Sequence, residues 1–334
     1  MSSSLKPKTD LILILENIQK YLFILIPIFL ITGPFLSDFA VSLIAIIQIY
    51  FLFKFKDFKI FNNFYVKFFI IFWIYILINS TLINYNLDSL RISFFYFRYL
   101  FFTIAIFNLF ENNYKILFKL FYSILFCFLV LILDGFYQYF TGYNIIGLKL
   151  PLGPRASSFF GDELILGSYL SRLMPTFFGI SLLLFHKKKK LYFLGLVMVL
   201  VETLVFISGE RTAFFYINLS AIFIILLIKD YKLYRTIILI FSALLILVIL
   251  NINPQIKKRM IDTTLNQMGA NTDQKYIFSM EHQDQYMTAL KMFKHNKLFG
   301  VGIKQFSKNC NKSLYKSGRF GCTSHPHNIY LQFL

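Results

Sequence analysis

KILFKLFYSILFCFLVLILD, residues 115–134, decides what kind of protein this is. Between Lys119 and Asp134 it carries no charge. As a helix it approaches the length needed to cross a bilayer core, about 20 residues. In lipid a helix also satisfies its own backbone, which an irregular chain cannot do. Similar apolar runs fall near 11–32, 35–53, 64–82, 92–110, 164–185, 191–208, 212–228 and 233–250, and another begins at 328. The break after the first rests on Thr32-Gly33-Pro34, because glycine and proline punctuate helices. With 57% hydrophobic and 15% charged residues, a chain of 334 residues holds more apolar surface than a soluble domain can hide. The expected fold is an all-α, polytopic membrane bundle with about nine complete spans and the start of a tenth.

The loops carry the topology. Lys54, Lys56 and Lys59 follow the second run, Lys115 the fourth, Lys187 to Lys190 the sixth, and Lys229, Lys232 and Arg235 the eighth. These are alternate loops, so the positive-inside rule puts them in the cytoplasm, together with the N-terminus and its Lys6 and Lys8. That arrangement gives the net charge of +18 a topological cause and leaves nucleic acid out as a partner. The first run, from Leu11, contains Glu16, Asn17 and Lys20 and lacks a small-residue cleavage site. It reads as a membrane helix rather than a signal peptide. Residues 1–250 form the bundle, with 135–163 as an outer loop, 251–327 as an outer segment and 328–334 as the start of a further span.

Within the outer segment, Tyr286, Ala289, Leu290, Phe293 and Leu298 repeat at helical spacing, which predicts a helix over 285–299 ending at Gly300-Val301-Gly302. It either caps the bundle on the membrane surface or contacts substrate. Cys127 sits in a span and packs there. Cys310 and Cys322 face an oxidising compartment and are candidates for a disulfide, with free thiols as the alternative. No Walker loop, Rossmann glycine pattern or metal-ligand pair is present, so nucleotide chemistry is not indicated, and neither a cofactor nor a metal is expected.

Three polar sites converge on the outer side in this topology. Pro151-Leu152-Gly153-Pro154-Arg155 leads through Gly161-Asp162-Glu163 into the sixth run. Ser208-Gly209-Glu210-Arg211-Thr212 turns between the seventh and eighth. Ser324-His325-Pro326-His327-Asn328-Ile329-Tyr330-Leu331-Gln332 opens the tenth. Lysine is the default cation of this AT-biased composition, 26 against 8 arginines, so a retained arginine points to its planar fork of donors. Arg155 and Arg211 are candidates to grip a phosphate or diphosphate; the alternative is snorkelling to lipid headgroups. Arg172 lies two turns into a span and is a candidate to reach the same cavity. Arg98, also within a span, is a candidate partner of Asp134. Asp162 either orients a substrate hydroxyl or complements a helix dipole. A neutral imidazole accepts a proton near pH 7, which makes His325 and His327 base candidates, with Asn328 to orient ring or substrate.

The order Arg155 ahead of a span, Ser-Gly-x-Arg-Thr at 208–212, Gly-Val-Gly-Ile at 300–303 and His-Pro-His-Asn-Ile-Tyr-Leu-Gln at 325–332 resembles the O-antigen ligase and polymerase superfamily. The resemblance covers roughly residues 150–334. It implies a metal-independent glycosyltransferase of the bacterial inner membrane. Such enzymes take a glycan from an undecaprenyl-diphosphate carrier at the periplasmic face and pass it, with inversion, to a lipid A core, another glycan or a protein. It makes His327 the general base, Arg155 and Arg211 the holders of the diphosphate, and His325 secondary. Members run on through further helices after the His motif, so the chain, ending at Leu334, is expected to be truncated. Ligase is favoured over polymerase by the His-Pro-His-Asn segment and the long late loop. A transporter or flippase for an anionic lipid is the competing class, with Arg98 and Arg172 lining its path, and a structural subunit of a glycan assembly complex is the third.

Overall fold

The computed structural model describes residues 10–151, 153, 155–185, 188–228, 232–270 and 277–332. Lys6, Lys8, Leu152, Pro154, Lys187, Lys229 and Leu334 lie outside the described residues, as do the side chains of Lys188 to Lys190. Every named element is a helix, and the one extended pairing among the described residues is an isolated bridge between Tyr143 and Lys149. The long helices are α1 (Asp10–Thr32), α2 (Pro34–Phe55), α3 (Phe64–Ile78, continued by a π turn over Asn79–Ile83), α4 (Leu87–Phe95), α5 (Phe97–Asn112), α6 (Ile116–Thr141), α7 (Leu166–Leu184), α8 (Lys188–Ile207), α9 (Arg211–Leu227) and α10 (Lys232–Ile252), which the short α11 (Pro254–Lys257) follows. Among the described residues, six segments are long and apolar enough to cross a membrane: α1, α2, α3 with its π turn, Leu87–Glu111, α6 and α10. Tyr192–Ile207 and Arg211–Leu227 are shorter apolar helices. Large apolar side chains stand exposed along these elements, Phe53 at 68%, Leu133 at 69% and Leu227 at 77%. Exposure on that scale suits lipid and not water. The chain is an all-α polytopic membrane protein.

The observed helices track the apolar runs within a few residues, with two clear differences: α6, read as ending at 134, runs on to Thr141 into the stretch read as a loop, and the fourth run is broken. The fourth run, read as 92–110, is two helices meeting at Tyr96, and the first begins at Leu87. Asn86 sets that start, because its Oδ1 accepts from the backbone N–H of Asp88 at 3.1 Å and of Ser89 at 3.4 Å. An N-cap of this kind relieves orphan donors of the first turn, and Asp88 adds a favourable charge at the dipole's positive end.

The chain divides into two compact units. The first comprises 1–44 and 106–261. Its core is aromatic: Phe121 stacks on Phe177 with ring centres 4.9 Å apart, and Phe128 tilts against Phe177 at 5.2 Å. Lipid tails are as apolar as these rings, so packing and hydrogen bonds hold the helices together rather than the expulsion of water. One such bond runs from Tyr169 Oη on α7 to the Pro27 carbonyl of α1, at 2.8 Å.

The second unit comprises 45–105 and 262–334. Here α12 (Thr263–Gln267), α13 (Met280–His295), α14 (Phe306–Asn309) and α15 (Ile329–Gln332) join α3 and α4. The helix predicted over 285–299 is α13, which starts earlier and stops at His295. Ser279 caps its start, accepting from His282 N at 3.4 Å, while Lys294 and His295 suit its C-terminal end. Leu298, part of the apolar repeat, lies past the helix and is exposed. A small core of Ala289, Met292, Phe306 and Cys310 packs with Val301, Tyr315 and Leu331. Cys310 and Cys322 are joined, with Cα atoms 4.9 Å apart. Closing a loop of this size adds roughly 3 kcal/mol on the chain-entropy account.

Gly300-Val301-Gly302 is where this late segment is fastened to α3, its π turn and α4. Asn79 Nδ2 donates to the Phe299 carbonyl at 2.5 Å, Asn84 Nδ2 to Gly300 at 3.2 Å and Ser89 Oγ to Ile303 at 2.6 Å. Lys308 pairs with Asp88 at 3.0 Å. Gly302 has φ +91°, and a Cβ there would come within 3.1 Å of Asn79 Oδ1 and of Asn84 Cβ. A side chain meets both a backbone penalty and a clash. Gly302→Val is therefore expected to cost about 1–3 kcal/mol in docking this segment. Faster protease cleavage near residue 300 would register it, and wild-type resistance would count against the account.

Candidate functional site

In the first unit the functional end begins with two buried polar residues one turn apart on α6. Asp134 accepts from Ile145 N at 2.8 Å and from the Ser158 hydroxyl. Gln138 Oε1 accepts from Ser157 N at 2.9 Å and Ser158 N at 2.7 Å. A buried carboxylate and amide must find partners, and here they find the backbone of the loop between α6 and α7. Asp134, offered by the sequence as a partner for Arg98, thus holds the segment that presents Arg155. Arg98 lies over the Tyr99 ring, 5.0 Å from its centre.

Arg155 meets the Ser208–Thr212 turn. Its Nε donates to the Ser208 carbonyl at 3.1 Å, and Ala156 N donates to the Ile207 carbonyl at 3.4 Å. Gly209 lets the two close up: its φ is +68°, and a Cβ there would sit 3.1 Å from Arg155 Cγ. The next residue, Glu210, turns back to α7. It accepts from Gly167 N at 2.6 Å, Ser168 N at 3.0 Å and Ser168 Oγ at 2.6 Å. Those bonds satisfy donors at the α7 N-terminus. Burial raises the Glu210 carboxyl above the usual carboxylate range, against the pull of Ser168, Gly167 and Arg155.

The charge balance at this turn favours an anion. Burial lowers the affinity of the Arg155 guanidinium for its proton; Arg259 and Arg211 push the same way and Glu210 opposes them. Two further arginines and one carboxylate, itself engaged by a helix end, thus act on Arg155. Arg211 is the first residue of α9, where a cation meets the positive end of the helix dipole unless an anion relieves it. Arg259 carries no signal in the sequence because it closes a Lys257-Lys258-Arg259 run that looks like an ordinary basic stretch. Its Nε is buried with no hydrogen-bond partner among the described residues.

In the second unit the structure brings His325 and His327 together, ring centres 4.1 Å apart, and adds His282 from α13, whose ring is 5.7 Å from that of His327. His327 has φ +51°, a left-handed backbone that a non-glycine residue adopts at a cost of roughly 1–2 kcal/mol. Pro326 is buried, and the Thr323 hydroxyl donates to the His325 carbonyl at 2.7 Å, which fixes the turn. Ser324 Oγ lies 2.8 Å from His325 Nδ1. Asn328 caps α15, accepting from Tyr330 N at 2.9 Å and Leu331 N at 3.2 Å. Burial lowers the His327 pKa, and His325 and His282 push it the same way, so the ring stays neutral and able to accept a proton.

Arg172 and Asp162 stand outside the bonded network around Arg155 and Glu210. Both side chains are exposed. His282 had no sequence signal linking it to a motif far downstream. Among the described residues no cluster of His, Cys, Asp or Glu has the form of a metal site.

Residues 194–334 match the model of the O-antigen ligase family. No curated protein and no solved structure matches the chain. The matched region contains the Ser208–Thr212 turn, the Gly300–Gly302 fastening and the His325–Gln332 segment, and over residues 194–334 the chain is similar to the O-antigen ligase family.

Proposed function

We propose that this protein takes a glycan from an undecaprenyl-diphosphate carrier at the periplasmic face of the bacterial inner membrane and passes it to a hydroxyl of the lipid A core. Lipid-linked glycan transfer in general follows from the family; the donor, the acceptor and the side of the membrane are this reading's own. In the reaction an acceptor oxygen attacks the anomeric carbon as the bond from that carbon to the carrier phosphate breaks. The sugar inverts, the acceptor proton passes to the neutral His327, and the carrier leaves as its diphosphate. Arg155 and Arg211 hold that diphosphate and oppose its growing charge as the bond breaks. His325 and Asn328 support the acceptor side. The chemistry calls for no metal, because the arginines supply the charge a cation would.

The observation that carries the reading is that Arg211 and His327 both fall within the region matched to the O-antigen ligase family. The action of Arg211 and Arg259 on Arg155, with Glu210 the one acid among them, supports an anionic ligand. The basic residues Lys54, Lys56, Lys59, Lys115 and Lys232 support a cytoplasmic placement of the opposite loops. Within the superfamily the alternative is a polymerase that extends a glycan on its carrier. Carrier-linked intermediates from a deletion strain separate the two. A pool of full-length chains is the expected result and indicates a ligase; a pool of single repeat units would indicate a polymerase.

A further inference from the structure

The cluster around His327 holds a group that the proposed reaction does not use. His282 lies in the first turn of α13 and is fixed on two sides. Ser279 Oγ lies 2.5 Å from His282 Nδ1, and the Tyr286 ring packs 6.0 Å away, itself backed by Phe278 at 4.9 Å. The His282 backbone N–H also donates to Ser279 Oγ, which ties ring and backbone to one hydroxyl. The ring meets that of His327 nearly at right angles, 79° between planes.

We propose that His282, held by Ser279, is a positioning residue for His327, its ring fixing the imidazole that accepts the acceptor's proton. The proposal rests on the reading of His327 as the base. The groups acting on His327 are His325 from its own segment and His282 from α13. The other titratable residues near His282 on α13 are Glu281, Asp284 and Tyr286, and Asp284 is engaged by Phe320 N at 3.1 Å. A proton on either neighbour opposes a proton on His327.

A neighbour that gains positive charge disfavours protonation of His327, so His327 remains a base to lower pH than an isolated histidine. His282→Gln keeps a polar side chain and removes that charge. The acid limb of the pH–rate profile for glycan transfer is therefore expected to move to higher pH, by about half a unit or more. The profile is measured on the membrane-inserted protein with a carrier-linked glycan donor, for the wild type, His282→Gln, Ser279→Ala and His327→Ala. Ser279→Ala retains the imidazole but frees its ring, and is expected to move the limb the same way by less. It carries the test if His282→Gln does not insert. Loss of transfer in His327→Ala together with a wild-type acid limb in the other two overturns this inference and leaves the proposed function standing. So does a uniform loss at every pH in both. Normal transfer by His327→Ala overturns the proposed function itself.

Discussion

Replacing His327 with alanine is expected to lower glycan transfer by roughly 10²–10⁴-fold, the usual weight of a positioned general base. Binding of the carrier-linked donor is expected to survive, because the ring is assigned to the acceptor proton and not to the diphosphate. The two readouts separate this from a folding defect: a misfolded protein loses both. His327→Ala is not expected to unfold the segment, since the turn is fixed by buried Pro326, the Thr323 hydroxyl and the Cys310–Cys322 bridge. In cells, a His327→Ala allele in a deletion strain is expected to leave the carrier-linked glycan unconsumed. A wild-type glycan ladder from that strain would end the case for His327 as the base.

Arg211→Ala is the second large effect. Removing one donor aimed at the developing charge of a leaving group costs about 10²–10³-fold in turnover. Here it also removes one of the two arginines that act on Arg155, so donor affinity is expected to fall as well, unlike in His327→Ala. Arg211→Lys is expected to restore part of the binding and little of the rate. An ammonium keeps the charge and loses the planar pair of donors that matches a phosphate edge. Measuring donor binding and turnover for both variants checks this. If Arg211→Ala bound donor as tightly as the wild type, the diphosphate would have to be held elsewhere.

The long helices could be read from the sequence because lipid imposes a single rule: an apolar run of sufficient length must be a helix. The apolar stretches of α6 and α10 illustrate it, being uninterrupted by a proline. The same rule says nothing about starts set by side-chain caps, and there hydropathy misleads. Asn86 begins α4 five residues ahead of the apolar run at 92, and Ser279 begins α13 ahead of its apolar repeat. Leu298 drew the helix too far, because an apolar residue at helical spacing need not be helical.

The candidate site divided along the same line. Arg155, Arg211 and His327 stood out because each is chemically unlike its neighbours in sequence. Glu210 did not, since it occupies the variable place of Ser-Gly-x-Arg-Thr, and only the fold directs its carboxylate to the α7 N-terminus. Asp134 and Gln138 read as polar intrusions in a membrane helix; their work on the loop backbone depends on contacts that the helix itself does not announce. Arg259 was masked by Lys257 and Lys258. His282 required α13 to be folded against the segment before α15, a long-range contact with no local trace.

The most direct test of the central claim is transfer by the purified protein in vesicles supplied with an undecaprenyl-diphosphate-linked glycan and a lipid A core acceptor, with donor binding measured alongside. The account predicts product from the wild type, bound donor without product from His327→Ala, and loss of both from Arg211→Ala. Product at the wild-type rate from either variant would contradict it.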